Sequence, residues 1–264
     1  TTLKRELYIC VLYILETVDR ELVCDWWRQE LPHIQVSFLR LHADITQAFN
    51  YDPELVRPTK TLLTPQVALF MKEIGTEEMN NMLKGAVGSK LNPQDEEKRL
   101  RWLTIQVDFL LLDILQDFVT TFREQFLGVE HDNSTSFIFG GIVESFCALS
   151  MNRPNEYFIP KIYSALHDFI RRFRKILFLG ENNYLRRLLQ TVILNCNCRD
   201  SYTYIHATTL LYTIFQLNQR TSGNFARARI QTVTTLSDLV ASRAVTEDLL
   251  LNHSFRRLVY YALH

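Results

Sequence analysis

The chain has 264 residues, 47% of them hydrophobic and 22% charged, a balance that excludes wholesale disorder and leaves room for one large domain or two small ones. Eight glycines and seven prolines are too few for the many tight turns of a β-sandwich or barrel, so the composition points to long helices with few corners. Net charge is zero, yet residues 1–132 carry 14 Lys+Arg against 21 Asp+Glu and residues 133–264 carry 15 against 8. Opposite signs at the two ends suit an elongated body that docks to neighbours, and the balanced total makes no case for nucleic acid.

The sequence starts Thr1-Thr2-Leu3 without Met and enters an amphipathic pattern at once, and both ends read as cut from something larger. Pro32 can open a helix, because its missing N–H costs nothing at the first helical positions. The stretch 52–93 gathers Pro53, Pro58, Pro65, Gly75, Gly85 and Gly88 and reads as an irregular insertion carrying one or two short helices. Within it, Thr64-Pro65 and Asn92-Pro93 are N-cap and first-turn pairs.

Beyond the insertion, Ile105, Phe109, Leu112, Leu115, Val119 and Phe122 recur at helical spacing, with Gln106, Asp113, Asp117, Thr120 and Glu124 opposed to them. Asp108, Asp113 and Asp117 are expected on a solvated surface. Gly140-Gly141 lacks the further glycine or GK[ST] of a phosphate loop and fits a close approach of two helices, or a break, better than a nucleotide site. Pro160 opens another helix.

Arg171, Arg172, Arg174 and Lys175, followed by Arg186 and Arg187, interleave with Phe169, Ile170, Phe173, Ile176, Leu177 and Phe178. This basic cluster is the candidate docking surface for an acidic protein or anionic lipid, set against a plain solvated helix face. Cys196-Asn197-Cys198 lacks the two-residue spacing and the completing ligands of a metal site. His167 and His206 fall in helical stripes as packing residues, and no nucleophile, base and orienting partner come together. No catalytic residue, metal or cofactor is therefore expected.

Ala207, Leu210, Leu211, Ile214 and Leu217 form a second stripe. Breaks near Asn50–Pro53, Gly128–Ser134, Met151–Pro154, Leu179–Asn183, Asn195–Asp200, Gln219–Asn224 and Ser242–Thr246, with those of the insertion, leave about ten helices joined by short loops. Pairs recur roughly every 40 residues from about position 155, the period of armadillo or HEAT stacks. The fold class is all-α, an α-solenoid in which residues 1–264 form a single armadillo-like region. Five cysteines, an odd number, with no secretion signal suggest a reducing, cytoplasmic setting.

Two segments resemble the dedicator-of-cytokinesis (DOCK) family of Rho-GTPase exchange factors, nearest its DOCK-C, zizimin-related branch. One runs from His206-Ala207-Thr208-Thr209-Leu210-Leu211-Tyr212 through Gly223-Asn224-Phe225-Ala226-Arg227-Ala228-Arg229-Ile230-Gln231 to Leu236-Ser237-Asp238-Leu239-Val240. The other comprises Val18-Asp19-Arg20-Glu21-Leu22, Trp27, Leu31-Pro32 and Phe49-Asn50-Tyr51, and Arg99-Leu100-Arg101-Trp102 falls where the family has a similar Leu-Arg-Trp. The resemblance implies the helical, armadillo-like region between a lipid-binding domain and the exchange domain. Its partners would be other domains of the same parent chain and regulatory proteins. A Rac or Cdc42 GTPase would be met only through the absent exchange domain, and the membrane's inner face only indirectly. A stand-alone HEAT or armadillo adaptor unrelated to GTPases is the alternative.

Overall fold

A computed structural model describes residues 2–50, 93–127, 133–152, 157–180, 183–244 and 248–263. All secondary structure among the described residues is helical, as expected, in twelve helices where the sequence suggested about ten. The insertion at 52–93, with Thr64-Pro65, lies outside the described residues except for its last member, Pro93. The chain divides into two compact units, residues 1–122 and 123–264.

The first unit holds α1 (Thr2–Thr17), α2 (Arg20–Gln29), α3 (Pro32–Ala48) and α4 (Pro93–Thr121). The chain breaks between α1 and α2 with neither Gly nor Pro, because Asp19 caps α2: its carboxylate accepts the Glu21 N–H at 2.8 Å. Pro32 opens α3 as expected. The buried Gln35 amide donates to the Trp27 and Glu30 carbonyls at 2.7 and 3.1 Å, satisfying acceptors that the end of α2 leaves without helical partners. Arg5 does the same for α3, its Nε donating to the Ala48 carbonyl at 2.8 Å.

Helix α4 spans 29 residues and packs against α1, α2 and α3. Ile105, Leu112, Leu115, Val119 and Phe122 are buried as the stripe predicts, but so are Val107, Leu111, Ile114 and Phe118. A helix with partners on several sides loses the simple apolar-in, polar-out division. Asp108 is accordingly buried rather than solvated, Asp113 is exposed, and Asp117 is half-buried with Arg20 Nη1 at 2.8 Å. Trp27 packs on Phe118 and Phe38, with ring centroids 4.7 and 5.0 Å apart.

The second unit begins with α5 (Arg123–Leu127) and α6 (Asn133–Met151). It continues through α7 (Ile159–Arg172), α8 (Arg174–Leu179), α9 (Tyr184–Cys196), α10 (Ser201–Ser222), α11 (Ala226–Ala241) and α12 (Asp248–Leu263). Its helices fall into two layers. In one, α9 packs between α6 and α11; in the other, α10 packs between α7 with its continuation α8 on one side and α12 on the other.

Helices α6 and α9 run parallel, and so do α10 and α12. Tyr184 Oη donates to the Ser136 carbonyl, Arg187 meets Glu144 and Asn195 meets Ser150, so α6 and α9 advance together. Tyr204 faces His253 and Tyr212 faces Tyr261, so α10 and α12 do the same. The unit is a stack of helix pairs, each burying its stripe on the pair before it. Ala207, Leu210, Leu211, Ile214 and Leu217, the predicted stripe of α10, are all buried.

Phe126, Phe139, Phe146, Phe169 and Phe173 form the aromatic centre, with neighbouring rings 5.0 to 5.8 Å apart. Gly140 lies within α6 rather than at a break, and a Cβ there would stand 3.4 Å from the Tyr184 ring. This is the close approach that the glycine pair suggested. The turn between α10 and α11 uses Gly223 at φ +74, a conformation that favours glycine. Buried Asn218 then reaches from α10 to accept the Ala228 N–H at 3.0 Å, capping α11 from a neighbouring helix.

Candidate docking surface

Arg171 and Arg172 close α7, Phe173 interrupts the helix, and Arg174 and Lys175 begin α8. The interruption is a kink, since the Phe173 N–H still donates to Phe169 and its carbonyl still accepts from Leu177, at 3.0 and 3.1 Å. Phe173 has φ −105 and ψ 24. Its ring is fully buried against Phe126, Phe139 and Phe169. A ring held inward at the bend sends the residues on either side outward, and all four cations are exposed.

None of the four forms an ion pair among the described residues. Their field is felt one turn away: burial first, and then the Arg171 charge, push the His167 pKa below the ordinary imidazole value. An uncompensated ridge of three guanidinium groups and one ammonium attracts carboxylate or phosphate, the guanidinium groups with paired hydrogen bonds.

The other two members of the cluster are placed differently. Arg186, on α9, pairs with Asp238 of α11. Arg187 donates through Nε to Glu144 of α6 at 2.8 Å and through Nη1 to Gln190 at 3.1 Å. These two arginines tie α9 to both helices of its own layer. Such half-exposed pairs stabilise by about 0.2–1 kcal/mol each.

The remaining polar groups of interest serve packing. His206 stacks on Tyr163, centroids 5.7 Å apart, and burial lowers its pKa. Cys196 is buried, with its sulfur 3.9 Å from Thr208 Oγ1 and its thiol pushed up to about 12 by burial, while Cys198 is half-buried. Among the described residues no group of three His, Cys, Asp or Glu side chains could hold a metal ion. No described helix is long and apolar enough to cross a membrane.

Two buried polar residues had no signal in the sequence. Asn195 joins three helices by donating to the Ser150 carbonyl and to Tyr163 Oη, both at 2.9 Å. His42 is fully buried between α3 and α4, its Nε2–H donating to the Leu111 carbonyl at 2.9 Å.

Comparison with known proteins gives matches along nearly the whole chain. It is 24% identical over 268 positions to dedicator of cytokinesis protein 11 of Danio rerio, covering 92% of this chain and 13% of that protein. Dedicator of cytokinesis protein 7 is 22% identical in Mus musculus and 21% in Homo sapiens, with 98% of this chain and 14% of each protein covered. This chain is a distant relative of those proteins. It spans about one-seventh of the length of the curated relatives it matches. No protein-family model and no solved structure matches it.

Proposed function

We propose that the chain is a helical scaffold and interaction region of a DOCK-type guanine-nucleotide exchange factor for Rac or Cdc42. In this reading it spaces a lipid-binding domain from an exchange domain and performs no bond chemistry itself. The observation that carries the reading is the likeness to dedicator of cytokinesis proteins 7 and 11 over 92–98% of the chain. The stack of helix pairs supports it physically, because a body built by side-by-side addition sets a fixed separation between whatever is attached to it. We assign all 264 residues, both compact units included, to one armadillo-like region.

Regulators of acidic character would dock on the ridge of Arg171, Arg172, Arg174 and Lys175. Arg186 and Arg187 are already engaged within the stack and would serve it rather than a partner.

The test uses the full-length protein and the 264-residue chain in parallel, with fluorescent GDP loaded on Rac and on Cdc42. Full-length protein should accelerate nucleotide release and the 264-residue chain should leave it at the spontaneous rate. Failure of the full-length protein on both GTPases refutes the exchange-factor reading and favours a stand-alone adaptor. Acceleration by the 264-residue chain refutes its place outside the exchange domain. For the ridge, R171E/R174E should weaken capture of the regulators that co-purify with the full-length protein while the helical circular dichroism stays unchanged; undiminished capture refutes the docking assignment.

A further inference from the structure

Each layer of the second unit grows by the same device: α9 covers α6 and α11 covers α9, while α10 covers α7 and α12 covers α10. The last helix of each layer presents a second apolar face whose residues stand largely exposed. On α11 the buried residues are Ala228, Thr232, Thr235 and Leu239, whereas Ile230, Val233 and Val240 are each more than half exposed. At about 100° per residue these sets lie on opposite sides of the helix. Helix α12 repeats the pattern. Leu251 and Ser254 are buried, Ser254 Oγ donating to the Cys196 carbonyl at 2.8 Å, while Leu249, Val259, Tyr260 and Leu263 are more than half exposed on the far side.

We propose that these two faces together seat a further antiparallel helix pair of the same polypeptide, which continues both layers. The inference rests on the reading above that the chain is part of a longer protein. Three observations favour this occupant. Ile230, Val233 and Val240 gather on one side of α11, opposite the face that packs on α9, so the helix offers a second apolar side where a neighbour of the same kind could sit. Such faces occur in both layers at the same end, which a pair of helices covers and a single helix does not. In the curated relatives, the aligned segment is only 13–14% of a much longer polypeptide.

Charge separates this occupant from a second copy. Arg229 on α11 and Arg256 on α12 are exposed and have no ion-pair partner among the described residues. Two copies seated end to end would bring these cations together, whereas a helix pair with acidic residues along its rim would neutralise them.

The test compares thiol modification of V233C and V259C in the full-length protein and in the 264-residue chain, by peptide mass spectrometry with exposed Cys10 as internal reference. Both substitutions fall on exposed positions and leave the packed faces untouched; I230C and L263C replace them if either alters the helical circular dichroism. Modification on the order of tenfold or more slower in the full-length protein supports a covering segment. Equal rates in the two proteins overturn it. Protection within the 264-residue chain that disappears on dilution also overturns it, by identifying a second copy as the occupant. Nucleotide release is read separately, so a full-length protein inactive on both GTPases but protected at these sites would refute the exchange-factor reading alone.

Discussion

Acidification should unfold the first unit through one imidazole. His42 is fully buried between α3 and α4, and its Nε2–H donates to the Leu111 carbonyl, so it is neutral with Nδ1 unprotonated. Burial depresses its pKa from 6.5 to about 4, only partly opposed by the hydrogen bond to Leu111. The unfolded chain takes up a proton at this residue below about pH 6.5, whereas the folded chain does so only below about pH 4. Stability from this group is therefore complete above 6.5, falls as pH drops through the window, and is fully lost below about 4.

At 1.36 kcal/mol per pH unit, the two and a half units between those values set an upper bound of about 3 kcal/mol. All three tryptophans, Trp26, Trp27 and Trp102, lie in the first unit, so urea titrations followed by tryptophan fluorescence report its unfolding without signal from the second. H42L keeps an apolar side chain at the site and removes the titration. The stability difference between wild type and H42L should be constant above pH 7 and shift against wild type by up to about 3 kcal/mol between pH 7 and pH 4. Wild-type and H42L curves that run parallel across that range would refute the reasoning.

Two further outcomes test the second unit. N218A removes the acceptor that caps α11 and leaves the buried Ala228 N–H without its partner; it should cost about 1–2 kcal/mol in thermal unfolding and speed exchange of that amide, with N218D restoring part of the loss. Buried Cys147 and Cys196, with thiols pushed up to about 12, should resist alkylation in native protein while exposed Cys10 reacts, so prompt labelling of either buried thiol would contradict the packing of α6 on α9.

Much of the fold can be read from local chemistry. Pro32 and Pro160 mark helix openings, Gly223 marks the end of α10, and the stripe from Ala207 to Leu217 predicts which face of α10 is buried. Where local chemistry is silent, the pattern misleads. Asp19, Phe122 and Phe173 break helices without glycine or proline, the first by its own cap and Phe173 at a kink anchored by distant rings. Asp108 reads as solvated because the pattern cannot show that α4 has neighbours on more than one side.

The basic cluster is visible as composition, but its division is not. Nothing near Arg186 announces Asp238, 52 residues away, or near Arg187 announces Glu144, 43 residues before it. The ridge, without an ion pair among the described residues, stands apart from Arg186 and Arg187 only once those partners are known. The exposed apolar faces of α11 and α12 were legible in principle, as second apolar sets at Ile230, Val233 and Val240 and at Val259, Tyr260 and Leu263. Sequence alone does not say which of two apolar sets a neighbour covers.

The layered arrangement of the second unit also governs how damage spreads. A side-chain hydrogen bond from Ser254 to Cys196 bridges 58 residues and joins the last helix pair of the unit to the pair beside it. Each pair answers only to the pair beside it, so such an array comes apart like a zip, from its outermost teeth inward. A lesion in α12 would loosen α10 before anything reached α6, and a broken ring in the Phe139 cluster would divide the array from within.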